Sequence, residues 1–288
     1  MEKYRNTADH STGVHPFIPI VGVGFPVLNV VLAPVFLAVR IPVFLVGACL
    51  LVLSEVIGAF ARLAAKTLLV AFGASRVEEK LLRPGADETP EIIVANHGSF
   101  IDVLHVASRF SARTFVIYDS GKHKFVSKSL LKAVLHSFSS ADVSRSTDNK
   151  VLEVDFKSIK YPTVVLPEGT TSNGRGILTF LSGAFRGVDR GKKITLVGFN
   201  YGNPRVVTFS ASYTVGSSVS YLLKMLAHSR CIVSTRISML TTQSSDPSVE
   251  IRKALTNAAQ LPLLSVGHSE RVEFERNWRT TQGARAYS

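Results

Sequence analysis

Two short segments of the chain combine residue types that can move a proton and hold a polar ligand. The first is Ala95-Asn96-His97-Gly98-Ser99-Phe100-Ile101-Asp102. A histidine follows an apolar run, and an aspartate comes five residues later. Ser99 and Asp102 are spaced as a capping box that opens a helix. That places His97 in the preceding loop and Asp102 in the first turn, where the two can meet. A carboxylate on one imidazole nitrogen fixes the tautomer and leaves the other nitrogen as a base. The competing reading is that Asp102 only caps the helix and His97 is an ordinary loop histidine. The second segment is Leu166-Pro167-Glu168-Gly169-Thr170-Thr171-Ser172-Asn173-Gly174-Arg175-Gly176. Its glycines allow tight turns. Its hydroxyls and Arg175 suit a phosphate. It lacks the lysine pattern of a nucleotide P-loop, and taken alone it reads as a polar turn.

Elements must position these residues. Ile92–Ala95, Thr114–Tyr118, Thr163–Leu166 and Ile194–Phe199 read as short buried strands, with Val206–Phe209 as a candidate fifth. Phe100–Phe110, Ser127–His136 and Asp148–Ser158 read as helices between them, and Glu78–Pro90 as a loop. Alternating strands and helices predict an α/β fold with a mostly parallel sheet flanked by helices. Ser248–Gln260 and Ser269–Trp278 read as a polar helical tail.

The N-terminal quarter differs. From Pro16 to Val39 no residue is charged, and a second uncharged run follows Arg40 from Ile41 to Ser54. The run is long enough to cross a membrane. Pro19, Pro26, Pro34 and Pro42 argue against one straight helix and for a kinked span or a re-entrant hairpin. A core hairpin of a soluble domain is the alternative. Val56–Phe72 reads as an amphipathic helix lying on the interface, or as a surface helix of the globular part. The predicted regions are therefore an anchoring segment 1–73, a catalytic domain 74–245 and a tail 246–288.

Composition narrows the function. The 288 residues are 46% hydrophobic and only 19% charged, which excludes a disordered chain. The formal net charge is +12. Nine of those charges come from the excess of basic residues after Gly174. Such a surface suits anionic lipid or phosphate-bearing ligands. Two distant cysteines, Cys49 and Cys231, build neither a disulfide framework nor a zinc site. No nucleic-acid motif is present. The remaining histidines, including His105, His123, His136, His228 and His268, lack an aspartate at the same spacing and read as structural or exposed.

Taken together, His97-x-x-x-x-Asp102 after a strand, Phe125-Val126-Ser127-Lys128 downstream and Pro167-Glu168-Gly169-Thr170 after a further strand resemble the glycerolipid acyltransferase family. The likeness runs from about Ile92 to Tyr201. The opening Met1-Glu2-Lys3-Tyr4, Thr12-Gly13 and Pro16-Phe17 is similar to the start of fungal members. The resemblance implies His97 as general base with Asp102 as its partner. It implies acceptor binding by Lys128 and by Glu168, Gly169 and Thr170, with Thr171, Asn173 and Arg175 as further candidates. Ile194-Thr195-Leu196-Val197 would line the acyl-donor site, and the backbone N–H groups of Gly98 and Ser99 would face the oxyanion.

Three positions depart from the pattern. Thr171 stands where an arginine is usual, Leu196 where a proline is, and Leu130 where an acidic residue is. The run 171–174 is similar to the lysophosphatidylcholine branch. The expected activity is transfer of a long acyl chain from acyl-CoA to the sn-2 hydroxyl of a lysophospholipid, lysophosphatidic acid first. No metal or redox cofactor is expected. Membrane lipids are the expected partners. The expected location is the endoplasmic reticulum membrane and lipid droplet, with the catalytic domain in the cytosol. A lysophosphatidylcholine enzyme, a CoA-independent transacylase and a non-catalytic membrane protein on the same fold are the alternatives.

Overall fold

The computed structural model describes residues 2–20, 27–74, 77–82, 90–139, 141, 156, 162–201, 210–228, 231, 233–244 and 246–286. Seven strands form one sheet: β1 (Val77–Leu81), β2 (Ile92–Ala95), β3 (Thr114–Asp119), β4 (Lys124–Lys128), β5 (Thr163–Val165), β6 (Lys193–Asn200) and β7 (Val233–Thr241). Their spatial order is β1-β7-β6-β2-β5-β3-β4. The central pairings β6/β2, β2/β5 and β5/β3 are parallel, as is β1/β7. The β6/β7 and β3/β4 pairings are antiparallel. The expected α/β class, mostly parallel with flanking helices, is what forms.

Strand alternation divides the core. Ile93, Ala95 and Val197 face one side, and Ile92, Val94 and Leu196 face the other. The first side is covered by α1 (Val27–Leu53), α2 (Phe60–Ala71), α3 (Phe100–Phe110), α4 (Leu130–His136) and α5 (Ser218–Ala227). The second is covered by α6 (Ser248–Ala259). The last helix, α7 (His268–Ala286), joins the N-terminal arm in a third cluster of Phe17, Leu178, Leu264, Val266 and Phe274.

Helix α1 runs unbroken through Pro34 and Pro42, so the chain does not double back within it. Its stretch Val31–Leu53 is 23 residues long, with mean hydropathy 2.5 and little of it buried, which is long and apolar enough to cross a membrane. Val31, Val35 and Val39 form an exposed stripe at helical spacing. The opposite side packs on α2 and α5. There Arg40 donates to the carbonyls of Leu226 and His228, so its charge meets the orphan acceptors at the end of α5. The expected interfacial helix is shorter than predicted. α2 buries Ala61, Ala64, Ala65, Leu68 and Leu69 and leaves Leu63 and Val70 exposed.

Other expectations need correction. Glu78–Leu81 belongs to edge strand β1, not to a loop, because it pairs in register with Ser234–Ile237. Ser127 and Lys128 close β4 rather than opening a helix, since Ser129 caps α4. Strand β7 and helix α5 were not foreseen. Val206–Phe209 and all of Asp148–Ser158 except Phe156 lie outside the described residues.

This topology gathers the chemistry. β2, β5 and β6 are parallel neighbours, so the loops after them emerge at the same end of the sheet. His97 follows β2, Glu168 follows β5 and Tyr201 follows β6. Ligands of open α/β sheets bind at such carboxyl ends.

Candidate active site

The loop after β2 is fixed from both sides. The Asn96 side chain donates to the Phe199 carbonyl at 3.0 Å and accepts from the Phe199 N–H at 2.7 Å. Ser99 is extended and caps α3, with its hydroxyl accepting from the Ile101 N–H. The capping box is completed by Asp102, whose Oδ2 accepts from the N–H groups of Gly98 at 2.7 Å and Ser99 at 2.9 Å. The other oxygen, Oδ1, accepts from the Tyr201 hydroxyl. Asp102 is thus a cap and also a neighbour of His97: Oδ2 lies 3.8 Å from His97 Nδ1. That distance is longer than a hydrogen bond. His97 Nδ1 has no hydrogen-bond partner among the described residues.

The far nitrogen is engaged. His97 Nε2 lies 3.2 Å from the Ser137 hydroxyl, which is also 3.1 Å from the Ala133 carbonyl. A hydroxyl has one proton, so it serves one of these two acceptors at a time. When Ser137 donates to His97, the imidazole proton sits on Nδ1 toward Asp102, which is the tautomer a general base needs. His97, Asp102 and Ser137 are all buried.

Glu168 lies behind the histidine. Its Oε2 accepts from the His97 N–H at 3.1 Å and its Oε1 from the Leu178 N–H at 3.0 Å. Burial pushes the carboxyl up to about 8, against the pull of those two donors and Arg252. Both oxygens face backbone, so Glu168 holds the two loops together rather than facing a ligand. Next to it Gly169 has φ +68°, and a Cβ there would fall 2.2 Å from Leu181. Only glycine fits this turn.

A small pocket opens beside His97. It is walled by Ser120, His136, Ser139, Ala141, Gly169, Thr170 and Thr171. His97, Gly169, Thr170 and Thr171, expected together from the sequence, do meet. His136 was read as structural, yet it shares this wall. Burial, and then the charge of His97, hold its imidazole down to about 4. Lys128 ends β4, half-buried, and is not part of the pocket wall.

Other expected residues lie elsewhere. The backbone N–H groups of Gly98 and Ser99 are taken up by Asp102 and are not free for an oxyanion. Asn173 is also spent: its side-chain amide donates to the carbonyls of His15 and Ile18, and its N–H donates to that of Pro16. It pins the loop to the N-terminal arm. Arg175 is exposed and does not wall the pocket. Ile194, Leu196 and Val197 are sheet interior, packed in the two cores. Leu196 in place of proline is explained by β6 being paired on both sides, where proline would forfeit a ladder bond. Ser137, His136 and Tyr201 were not foreseen. No motif spacing ties Tyr201 to Asp102, and only the β2/β6 adjacency brings them together.

Residues 75–202 match the family model described as Acyltransferase, a span that contains both motif segments. A curated relative from Schizosaccharomyces pombe, named "Putative lysophosphatidic acid:oleoyl-CoA acyltransferase", is 29% identical over 212 residues, covering 62% of this chain and 67% of the relative. Among solved structures, the 1-acyl-sn-glycerophosphate (LPA) acyltransferase PlsC from Thermotoga maritima aligns with 81% of this chain and 97% of its own, at 16% identity and a TM-score of 0.45.

Proposed function

We propose that this chain, which carries an acyltransferase domain over residues 75–202, moves a long acyl chain from acyl-CoA to the sn-2 hydroxyl of a lysophospholipid, with lysophosphatidic acid the preferred acceptor. The observation that carries the reading is one pocket in which His97 meets the Gly169–Thr171 turn, with the Asp102 carboxylate 3.8 Å behind the imidazole. The acceptor hydroxyl takes the place of Ser137 at His97 Nε2 and gives up its proton there. The oxygen attacks the thioester carbonyl, the C–S bond breaks, and the thiolate takes the proton from His97 and leaves as CoA. Asp102 faces the imidazolium as it forms. Thr170 and Thr171 supply the donors nearest the developing oxyanion, since Gly98 and Ser99 are committed to Asp102. Lys128 and the basic surface offer charge to the phosphates of acceptor and donor.

The apolar face of α1 anchors the protein in the endoplasmic reticulum membrane or a lipid droplet, where both substrates partition, with the catalytic domain on the cytosolic side. No metal or redox cofactor takes part in this scheme. The test is product analysis by mass spectrometry, using purified protein with mixed lysophospholipids and mixed acyl-CoAs. Phosphatidic acid newly acylated at sn-2 is the expected product. Faster turnover of lysophosphatidylcholine overturns the choice of acceptor and keeps the reaction class. Acylation with phospholipid but no CoA ester overturns the donor.

A further inference from the structure

Among the described residues Asp102 is held by three donors, and one of them is a side chain from a distant element. The Ser99 N–H bond to Oδ2 belongs to the capping box, as in any helix opened this way, and the Gly98 N–H just before the cap joins it. Tyr201 is different. It follows β6, is almost wholly buried, and places its hydroxyl on Oδ1. The ring is seated closely: a Cβ at Gly98 would lie 2.8 Å from it, and one at Gly174 only 2.5 Å. Both motif loops therefore close on the Tyr201 ring. Meanwhile His97 Nδ1 stands 3.8 Å from Oδ2, with no hydrogen-bond partner among the described residues.

We propose that Tyr201 is a positioning residue of the acyl-transfer site, setting where the Asp102 carboxylate stands and how strongly it pairs with His97. This rests on the function proposed above. With Oδ2 shared by two backbone N–H groups, the tyrosine fixes the rotation of the carboxylate about its remaining bond. It also draws charge toward Oδ1, away from the imidazole. The phenol stays a donor throughout the working range, because burial and the neighbouring carboxylate hold it well above the usual tyrosine value. Asp102 also feels His105, Tyr221, Cys231 and Glu168, and His97 feels His136. None of these donates a hydrogen bond to Asp102 among the described contacts, so removing the Tyr201 hydroxyl isolates one interaction.

The experiment uses Tyr201→Phe, which keeps the ring between Gly98 and Gly174. Loss of the phenol leaves more charge on the carboxylate facing His97, so the imidazolium persists to higher pH. The acid limb of the kcat profile is expected to move upward by roughly half a unit, with kcat at neutral pH down roughly tenfold and both KM values unchanged. Because Tyr201 acts through Asp102, the double variant Y201F/D102N is expected to be no slower than D102N alone. Losses that multiply in the double variant, or a lower kcat with an unmoved acid limb, would show a merely structural ring. Wild-type kinetics in Y201F would also overturn the proposal. If the wild-type chain acylates no lysophospholipid, the functional reading fails by itself. The positioning role is then read from the His97 ring titration by nuclear magnetic resonance, which shifts in Y201F if the coupling exists and stays put if it does not.

Discussion

Glu168 offers a sharp test of how the two loops are joined. Its carboxyl spans the His97 and Leu178 N–H groups at 3.1 and 3.0 Å, inside the protein. Glu168→Gln keeps the volume but presents one oxygen and one NH₂. One of the two backbone donors then faces a nitrogen that cannot accept. An unsatisfied buried donor costs about 1–3 kcal/mol, which for a chain of this size is a fall in Tm of roughly 2–10 °C. The pH dependence makes the test specific. Burial raises the carboxyl from 4.5 to about 8 in the folded chain. A folded-state value above the unfolded one means that the folded state binds the proton more tightly. The resulting stability is complete below 4.5 and is lost as pH rises through about 8. At about 1.4 kcal/mol per unit, the ceiling is roughly 5 kcal/mol, and water entry and relaxation bring the expected figure to about 2–3 kcal/mol. Glutamine has no such dependence. Thermal unfolding of detergent-solubilised full-length protein from pH 5 to 9 should show E168Q well below wild type at pH 5, with the gap closing toward pH 9. A gap constant across that range would mean that Glu168 is already ionised in the fold. No gap at pH 5 would mean that the two backbone bonds do not hold the loops.

Four other outcomes follow from the same geometry. His97→Ala should abolish acyl transfer while leaving the thermal transition within a few degrees of wild type; residual turnover near the wild-type rate would remove His97 from the chemistry. Arg175→Ala should change the acceptor KM by less than about threefold, as expected of an exposed side chain, and a rise of tenfold or more would show that the guanidinium folds over the pocket when substrate binds. Asn173→Ala should lower kcat and loosen the 170–176 loop, read as faster amide exchange there, because it releases the bonds to His15 and Ile18; an unchanged exchange pattern would show that the arm does not hold the loop. Deleting residues 1–53 should free the remaining chain from membranes in high salt, and full retention would place the anchor elsewhere.

What was legible in the sequence follows from what is local. The capping box at Ser99 and Asp102 is a matter of three residues, and it forms as read. The central strands β2, β3, β5 and β6 are apolar runs buried on both faces, which is the signal single sequences carry best. β1 was missed because an edge strand tolerates Glu78, Glu79 and Lys80, so composition reads it as a loop. β7 was missed although Val233, Thr235 and Ile237 alternate inward, because the serines and arginine between them hide the apolar side of the period. The prolines of α1 misled in the other direction: each forfeits one bond and the helix continues.

The site divides in the same way. Motif spacing brought His97, Gly169, Thr170 and Thr171 to one pocket, but it gave no account of how each residue spends its hydrogen bonds. Asn173, Glu168 and the Gly98 and Ser99 N–H groups have the right types for binding and are all committed to the protein itself. That commitment is settled by atoms contributed from His15, Leu178 and Asp102, at separations in sequence from three residues to more than a hundred and fifty. Residue type therefore identifies candidates for ligand contact, and only the packed partners decide which of them still have a donor or acceptor to offer. In this chain His97 and the two threonines still face the pocket, while Glu168, Asn173 and the Gly98 and Ser99 N–H groups hold the loops around it.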